Sequence, residues 1–335
     1  MLGILGIDTS KAQLDTSFCC ATSREVLWNL KVDNSAAGVQ QLLDRTTRDA
    51  AWVIEPTGRY SQLAVQMAYA AGRRVLLAPP KRARKFLESI QDRAKTDRLD
   101  GEGLALYGLA APLSPYPLKD EKVEQLDQWL SARRGLTQAL SRLEQQQREL
   151  PYARQVLSPA IAHLREQVRT LDKQIASEVK QHERFELALR LQKVPGIGAV
   201  TSTAVTSRLV SCCFEHPDKF VAYLGLDVAI QQSGNAKGNR GLTKQGDAEL
   251  RRLLYLCAKA SLRVKGNPFA LQYERELNKG LPKTAALCAV ARKMARLCWS
   301  LWKHGSEYDP KRVGQPPERV GQPPAIALQP EQKEG

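Results

Sequence analysis

Four acidic residues stand where their types and spacing could do chemistry. Asp8 ends an apolar run (Gly6-Ile7-Asp8-Thr9), at a point where a buried strand has no use for a charge. Glu55 ends a second apolar run in the same way, in Val53-Ile54-Glu55-Pro56. Asp97 and Asp100 are three apart, which puts both on one face of a helix. Carboxylates brought together repel unless a divalent cation neutralises them, and oxygen-only donors suit Mg²⁺ or Mn²⁺. Such a site can activate a nucleophile and stabilise the leaving oxygen of a phosphodiester. Each residue alone reads as a turn former or a first-turn acid at a helix dipole. The argument lies in the combination.

These carboxylates need a scaffold, and the first 111 residues supply its elements. Gly3–Thr9, Leu14–Ala21 and Glu25–Val32 read as three short strands separated by polar turns. Ser35–Thr46 has helical spacing, Ala51–Glu55 is a continuous apolar strand, and Leu63–Ala71 is a helix closed by Gly72. Arg74–Ala78 is a fifth strand, closed by Pro79-Pro80, and a last helix starts near Thr96 and reaches about Leu109. The order β-β-β-α-β-α-β-α predicts one mixed sheet flanked by helices. If the strands carrying Asp8 and Glu55 are parallel neighbours, both carboxylates emerge at one edge.

From Asp120 the composition turns to Gln, Glu, Leu and Arg over Glu121–Leu150 and Ser158–Phe185, with breaks around Pro151 and Pro159. Ile161, Leu164, Val168, Leu171 and Ile175 form an a/d seam, which suits either coiled-coil pairing or a hairpin within the chain. Residues 119–186 therefore read as a helical spacer, suited to dimerisation. Residues 187–305 read as an all-α domain, and 308–335 as a disordered Pro- and Gly-rich tail in which Arg312–Pro317 recurs at Arg319–Pro324.

The net charge of +15 favours polyanionic partners. No apolar run approaches the ~18 residues of a spanning helix, and the first residues lack the basic start of a signal peptide, so a cytoplasmic protein is expected. The seven cysteines include no C-x-x-C and the four histidines are scattered, which argues for buried thiols rather than zinc. Arg73–Arg98 holds nine Lys or Arg against three acids, including Lys81, Arg82, Arg84 and Lys85 in one helical run. Ser233–Lys265 holds eight against two, among them Lys244, Arg251 and Arg252. A solvated helix face is the ordinary reading of such runs. Flanking the acidic groups, they favour a nucleic-acid channel dominated by backbone contacts.

Gly6-Ile7-Asp8-Thr9-Ser10-Lys11, Glu55-Pro56-Thr57-Gly58-Arg59-Tyr60 and Lys95-Thr96-Asp97-Arg98-Leu99-Asp100 resemble the three blocks of the DEDD insertion-sequence transposases. The resemblance spans roughly residues 3–303. It implies an RNase H-like (RuvC-like) α/β domain whose metal ligands are Asp8, Glu55, Asp97 and Asp100. Lys193-Val194-Pro195-Gly196-Ile197-Gly198 is similar to a helix-hairpin-helix turn, in which Gly196 and Gly198 free backbone N–H groups for a phosphate. Tyr223-Leu224-Gly225-Leu226, Gln232-Ser233-Gly234-Asn235 and Leu250-Arg251-Arg252-Leu253 follow the family's second signature, although Val228 stands where the family often has proline. By that signature Ser233 is the nucleophile; unaided, a serine in such a loop is a turn residue.

The resemblance implies a transposase-recombinase acting on donor and target DNA through a transient phosphoserine. It further implies guidance by a structured RNA, and the expected assembly is a homodimer that pairs into a tetramer on DNA. Two other readings stay open. One is a metal-dependent junction-resolving nuclease that uses water, and the other is a non-catalytic nucleic-acid-binding protein.

Overall fold

A computed structural model of the chain describes residues 3–56, 58–90, 97–117, 120–212, 214–228, 241–264 and 266–313; the side chains of 59, 90 and 97–100 fall outside that description. The chain divides into two units, Met1–Leu118 and Lys119–Gly335.

In the first unit, β1 (Gly3–Thr9), β2 (Gln13–Cys20) and β3 (Val26–Asp33) form an antiparallel meander. After α1 (Ala36–Arg45) the chain returns as β4 (Ala51–Ile54), parallel to β1, and after α2 (Gln62–Ala70) as β5 (Arg74–Leu77), parallel to β4. The sheet order is β3-β2-β1-β4-β5, the RNase H-like arrangement. Then α3 (Pro80–Ile90) and α4 (Asp97–Ala110) complete the unit.

Strand alternation decides the layers. Leu5, Ile7, Trp52, Ile54 and Val75 pack with Val39 and Leu42 of α1 and Ala64, Val65 and Ala68 of α2. Ile4, Val53 and Leu76 face the other way, onto Ala83 of α3 and Leu104 and Ala105 of α4. Each such Leu or Ile, fully buried, contributes about 1.5–3 kcal/mol of hydrophobic stabilisation.

The second unit opens with α5 (Glu121–Glu149) and α6 (Arg154–Gln181), an antiparallel hairpin tied by Lys122–Glu178, Arg133–Asp172 and Arg165–Glu144 ion pairs. Then follow α7 (Glu186–Leu191), α8 (Ala199–Ser211), α9 (Pro217–Tyr223), α10 (Ala248–Ser261), α11 (Pro268–Asn278) and α12 (Lys283–His304). Their core gathers around α12, where Val290, Ala291, Met294 and Cys298 are fully buried.

Several expectations need correction. Pro80 starts a helix instead of only closing β5, because a proline's missing N–H is harmless in a first turn. The helix expected from Ser158 begins at Arg154 and carries Pro159 inside it, so the one break lies at the turn around Pro151. The seam from Ile161 to Ile175 lies buried or half-buried along this hairpin, one of the two arrangements its spacing allowed. The first unit extends past residue 111, since Leu77 N–H donates to Ser114 O and Tyr116 N–H to Val75 O. The spacer is not separate from the helical domain: Val123 and Leu126 of α5, Ile175 and Val179 of α6, and Phe185 and Ala188 share one cluster. Of the expected tail, Tyr308 and Val313 pack on the helical core, and residues 314–335 lie outside the described residues. Thr96, the expected N-cap, also lies outside them.

Burial pushes the Cys19 thiol up to about 11, with Glu102 adding to the effect, and burial likewise raises Cys257 and Cys298. These groups stay protonated thiols at neutral pH. Among the described residues, no helix is long and apolar enough to cross a membrane.

Candidate functional site

The parallel register of β1 and β4 pairs Gly6 with Val53 and Ile7 with Ile54. Asp8 and Glu55 are the next residue on each strand, so they emerge side by side at one edge of the sheet. Alternation puts Asp8 on the face of Ile4, and Glu55, continuing β4, on the face of Val53; this is the face that α4 covers.

Glycine brings α4 close. A Cβ on Gly6 would stand 2.1 Å from the carbonyl oxygen of Gly101 and 2.4 Å from the backbone N of Ala105. A Cβ on Gly101 would stand 3.0 Å from Asp15 O. The backbone of α4 thus rests directly on β1 and β2, two residues before Asp8 and one residue after Asp100. Helix α4 begins at Asp97, so the backbone carrying Asp97 and Asp100 starts at the carboxylate edge. The side chains of those two residues lie outside the description. Among the described residues, no group of three His, Cys, Asp or Glu gathers to hold a metal. The donor set fits a hard divalent cation by its chemistry, which is oxygen throughout.

One acid at this edge escaped the sequence reading. Asp15 on β2 pairs in register with Asp8, and on its other side with Lys31 of β3. Lys31 Nζ lies 2.8 Å from Asp15 Oδ1. Like charges directly opposite on neighbouring strands are unfavourable, and the lysine offsets that. Counting residues through the turn, where Gln13 N–H donates to Ser10 Oγ, would have found the pairing.

Ser233 lies outside the described residues, as do its neighbours 229–240. The chain on either side is firmly held. Val228 bridges to Leu242, and Thr243 N–H donates to Asp227 O. Arg251 donates to Leu224 O at 2.8 Å and Arg292 to Leu226 O at 2.9 Å. Arg208 Nη1 reaches Asp127 Oδ2 at 2.6 Å and its Nε reaches Asp247 Oδ2 at 3.4 Å. Asp247 also N-caps α10. Burial alone would pull the Arg208 guanidinium down, but Asp127, Tyr223 and Asp247 hold it above its ordinary value. Sequence reasoning missed Arg208, Asp127 and Arg292, because their partners are far apart in sequence. Asp247 before Ala248 was readable as a cap.

The expected phosphate contacts fall in different places. Lys81, Arg82, Arg84 and Lys85 are all exposed on α3, whose Ala83, Phe86 and Leu87 face inward. Lys244 and Arg252 are exposed, whereas Arg251 is half-buried on its carbonyl. Gly196, at φ +88, packs against α10, where a Cβ would meet Cys257 O at 2.3 Å. Gly198 caps α8 without a side-chain hydrogen bond and faces open space, which leaves the first-turn N–H groups of α8 without a capping side chain.

Both units of the chain have known relatives. Residues 5–150 match a transposase family of the DEDD, IS110 type, and residues 188–274 match the transposase IS116/IS110/IS902 family. The chain is 24% identical to a pilin gene-inverting protein of Moraxella bovis over 92% of its own length and 98% of that protein. It is 27% identical to the transposase for insertion sequence element IS1328 of Yersinia enterocolitica, over 47% of this chain and 48% of that one. Among solved structures, T. thermophilus RuvC in complex with a Holliday junction substrate matches with 17% identity and a TM-score of 0.28, covering 35% of this chain and 100% of that one. Matched by both family descriptions, the chain belongs to the IS110-type DEDD transposases, enzymes of DNA strand cleavage and transfer.

Proposed function

We propose that the chain exchanges DNA strands by a two-step transfer in which Ser233 is the nucleophile and Asp8, Glu55, Asp97 and Asp100 hold Mg²⁺ or Mn²⁺. The observation that carries this reading is the parallel register that sets Asp8 beside Glu55, under a helix that begins at Asp97. A divalent cation held there supplies charge neutralisation and Lewis-acid polarisation of the scissile phosphate. The serine Oγ attacks phosphorus and loses its proton as the new O–P bond forms. The P–O bond to the leaving strand breaks, and that strand departs as a hydroxyl. In the second step a strand hydroxyl attacks the phosphoserine and Ser233 is restored. No bond energy is lost, so rejoining needs no ATP. The relative that inverts a pilin gene, matched over nearly its whole length, fits a chemistry that rejoins as well as cuts.

The partners in this reading are donor and target DNA and a structured guide RNA, bound by a homodimer that pairs into a tetramer on DNA. Exposed Lys81, Arg82, Arg84 and Lys85 suit the phosphate backbone. Sequencing the nucleic acid that copurifies with the protein tests the guide.

The test of the chemistry is a covalent adduct. With Mg²⁺ and a DNA substrate, the parent should yield a DNA-linked peptide containing Ser233, and Ser233→Ala should yield neither adduct nor cleavage. Unchanged cleavage by Ser233→Ala would replace the serine with a metal-activated water, making the chain a junction-type nuclease.

A further inference from the structure

We infer that the groove between α5, α8 and α10 of the helical unit seats the phosphodiester backbone of a nucleic-acid strand. The inference rests on the reading of this chain as a nucleic-acid enzyme and gives that reading a specific place.

The groove has a volume of about 660 Å³. Its α5 wall is a single stripe running from Asp127 to Arg142 at spacings of three and four. At 1.5 Å per residue that stripe is about 22 Å long, the span of roughly six nucleotides at 3.4 Å each. The floor is apolar, with Leu130, Val200, Ala204, Leu250 and Leu253. Arg133, Arg134, Arg142, Arg208 and Arg252 line it, against Asp127, Asp247 and Glu249.

Each acid is already paired with an arginine within the walls. Arg208 engages Asp127 and Asp247, and Arg252 lies 2.7 Å from Glu249. The hydrogen bond from Arg252 holds the Glu249 carboxyl below the usual carboxylate range. This leaves the rim to cations that a phosphate can take over. Arg134 reaches Glu249 only at 3.9 Å and is 45% exposed, a pairing worth little in water. Arg142 is exposed on α5, fifteen residues past Asp127, the acid that α5 gives to the groove. Guanidinium groups bind phosphate bidentately, which lysine cannot do. A second feature points the same way. Val200 of the floor is two residues past Gly198, so the groove reaches the first turn of α8, whose N–H groups no side chain caps. One strand could be held by the arginine rim and by that helix start together.

The test uses the full-length protein in EDTA, so that binding is read without any chemistry. Fluorescence anisotropy measures the salt dependence of binding to a 20-base-pair DNA duplex and to an RNA hairpin. The pair of changes Arg134→Gln and Arg142→Gln should lower affinity about tenfold or more at physiological salt for at least one of the two probes. On duplex DNA, loss of two phosphate contacts should flatten the log–log slope by about 1.8. Arg148→Gln, on α5 but outside the groove, should match the parent. A response confined to the RNA hairpin assigns the groove to RNA, and a response confined to the duplex assigns it to DNA. Parent-like affinity and slope on both probes in a normally melting double variant would overturn the proposal. Because no cleavage is involved, that outcome leaves the Ser233 adduct test standing, and failure of the adduct test leaves this one standing.

Discussion

A carboxylate at the end of a buried strand is costly unless something compensates its charge, and this cost gives Asp8 and Glu55 a measurable signature. Their adjacency is fixed by backbone hydrogen bonds and does not depend on their charges. Asp8→Asn or Glu55→Gln should therefore leave the fold intact and relieve repulsion in the metal-free protein. The parent should gain stability from divalent ions. For a Kd on the order of 1 mM, 10 mM Mg²⁺ adds about 1.4 kcal/mol, a shift of several degrees in Tm. The variants should lose most of that shift and all cleavage. A Tm rise equal to the parent's in both variants would remove these residues from the metal site. Asp15 offers a contrast, since its partner Lys31 is part of the protein and its effect should not depend on the cation.

At the scale of elements, the contact between β1 and α4 does the positioning. Helix α4 carries Gly101, Gly103 and Gly108, each costing about 0.5–1 kcal/mol relative to alanine in a helix interior. The helix accepts that cost at Gly101 and Gly108, where it meets the sheet, and at Gly103, where it meets Leu87 of α3. Gly6→Ala should clash with the backbone of Gly101 and Ala105, lower stability by about 1–3 kcal/mol, and abolish cleavage with all four carboxylates present. Gly135→Ala in α5, with nothing within 4 Å of its Cβ, should stabilise by up to about 1 kcal/mol. Thermal melting of the two variants checks both signs. A neutral Gly6→Ala would mean that the close approach is not required. The strands were readable in the sequence because alternation and apolar runs are local signals, and the pairing of Asp8 with Glu55 followed from placing β1 beside β4. The Gly6–Gly101 contact was not readable, because a glycine gives no hint of what approaches it. The choice of a hairpin was not readable either: the Ile161–Ile175 seam has one spacing whether its partner is α5 or another chain, and the ion pairs across α5 and α6 are what show the hairpin.

For the whole molecule, the consequence is that the proposed metal ligands and the proposed nucleophile belong to two separate units of one chain. The acids lie in Met1–Leu118, and Ser233 belongs to Lys119–Gly335. The proposed tetramer would bring several copies of each unit to the DNA. An active site can then be completed by the acids of one subunit and the serine of another. Two inactive proteins distinguish this from a site within one chain. One carries Asp8→Ala and the other Ser233→Ala, and each alone should give no cleavage. When they are mixed before DNA is added, a site shared between subunits predicts recovered cleavage, at up to about half the sites a mixed assembly contains. The phosphoserine adduct should then map only to the Asp8→Ala chain, which alone retains its serine. A site contained in one chain predicts no recovery at any mixing ratio. Mass labelling of one chain makes the readout direct, because the labelled peptide identifies which subunit performed the attack. Absence of recovery in mixtures shown by native mass spectrometry to contain both chains would rule out completion between subunits.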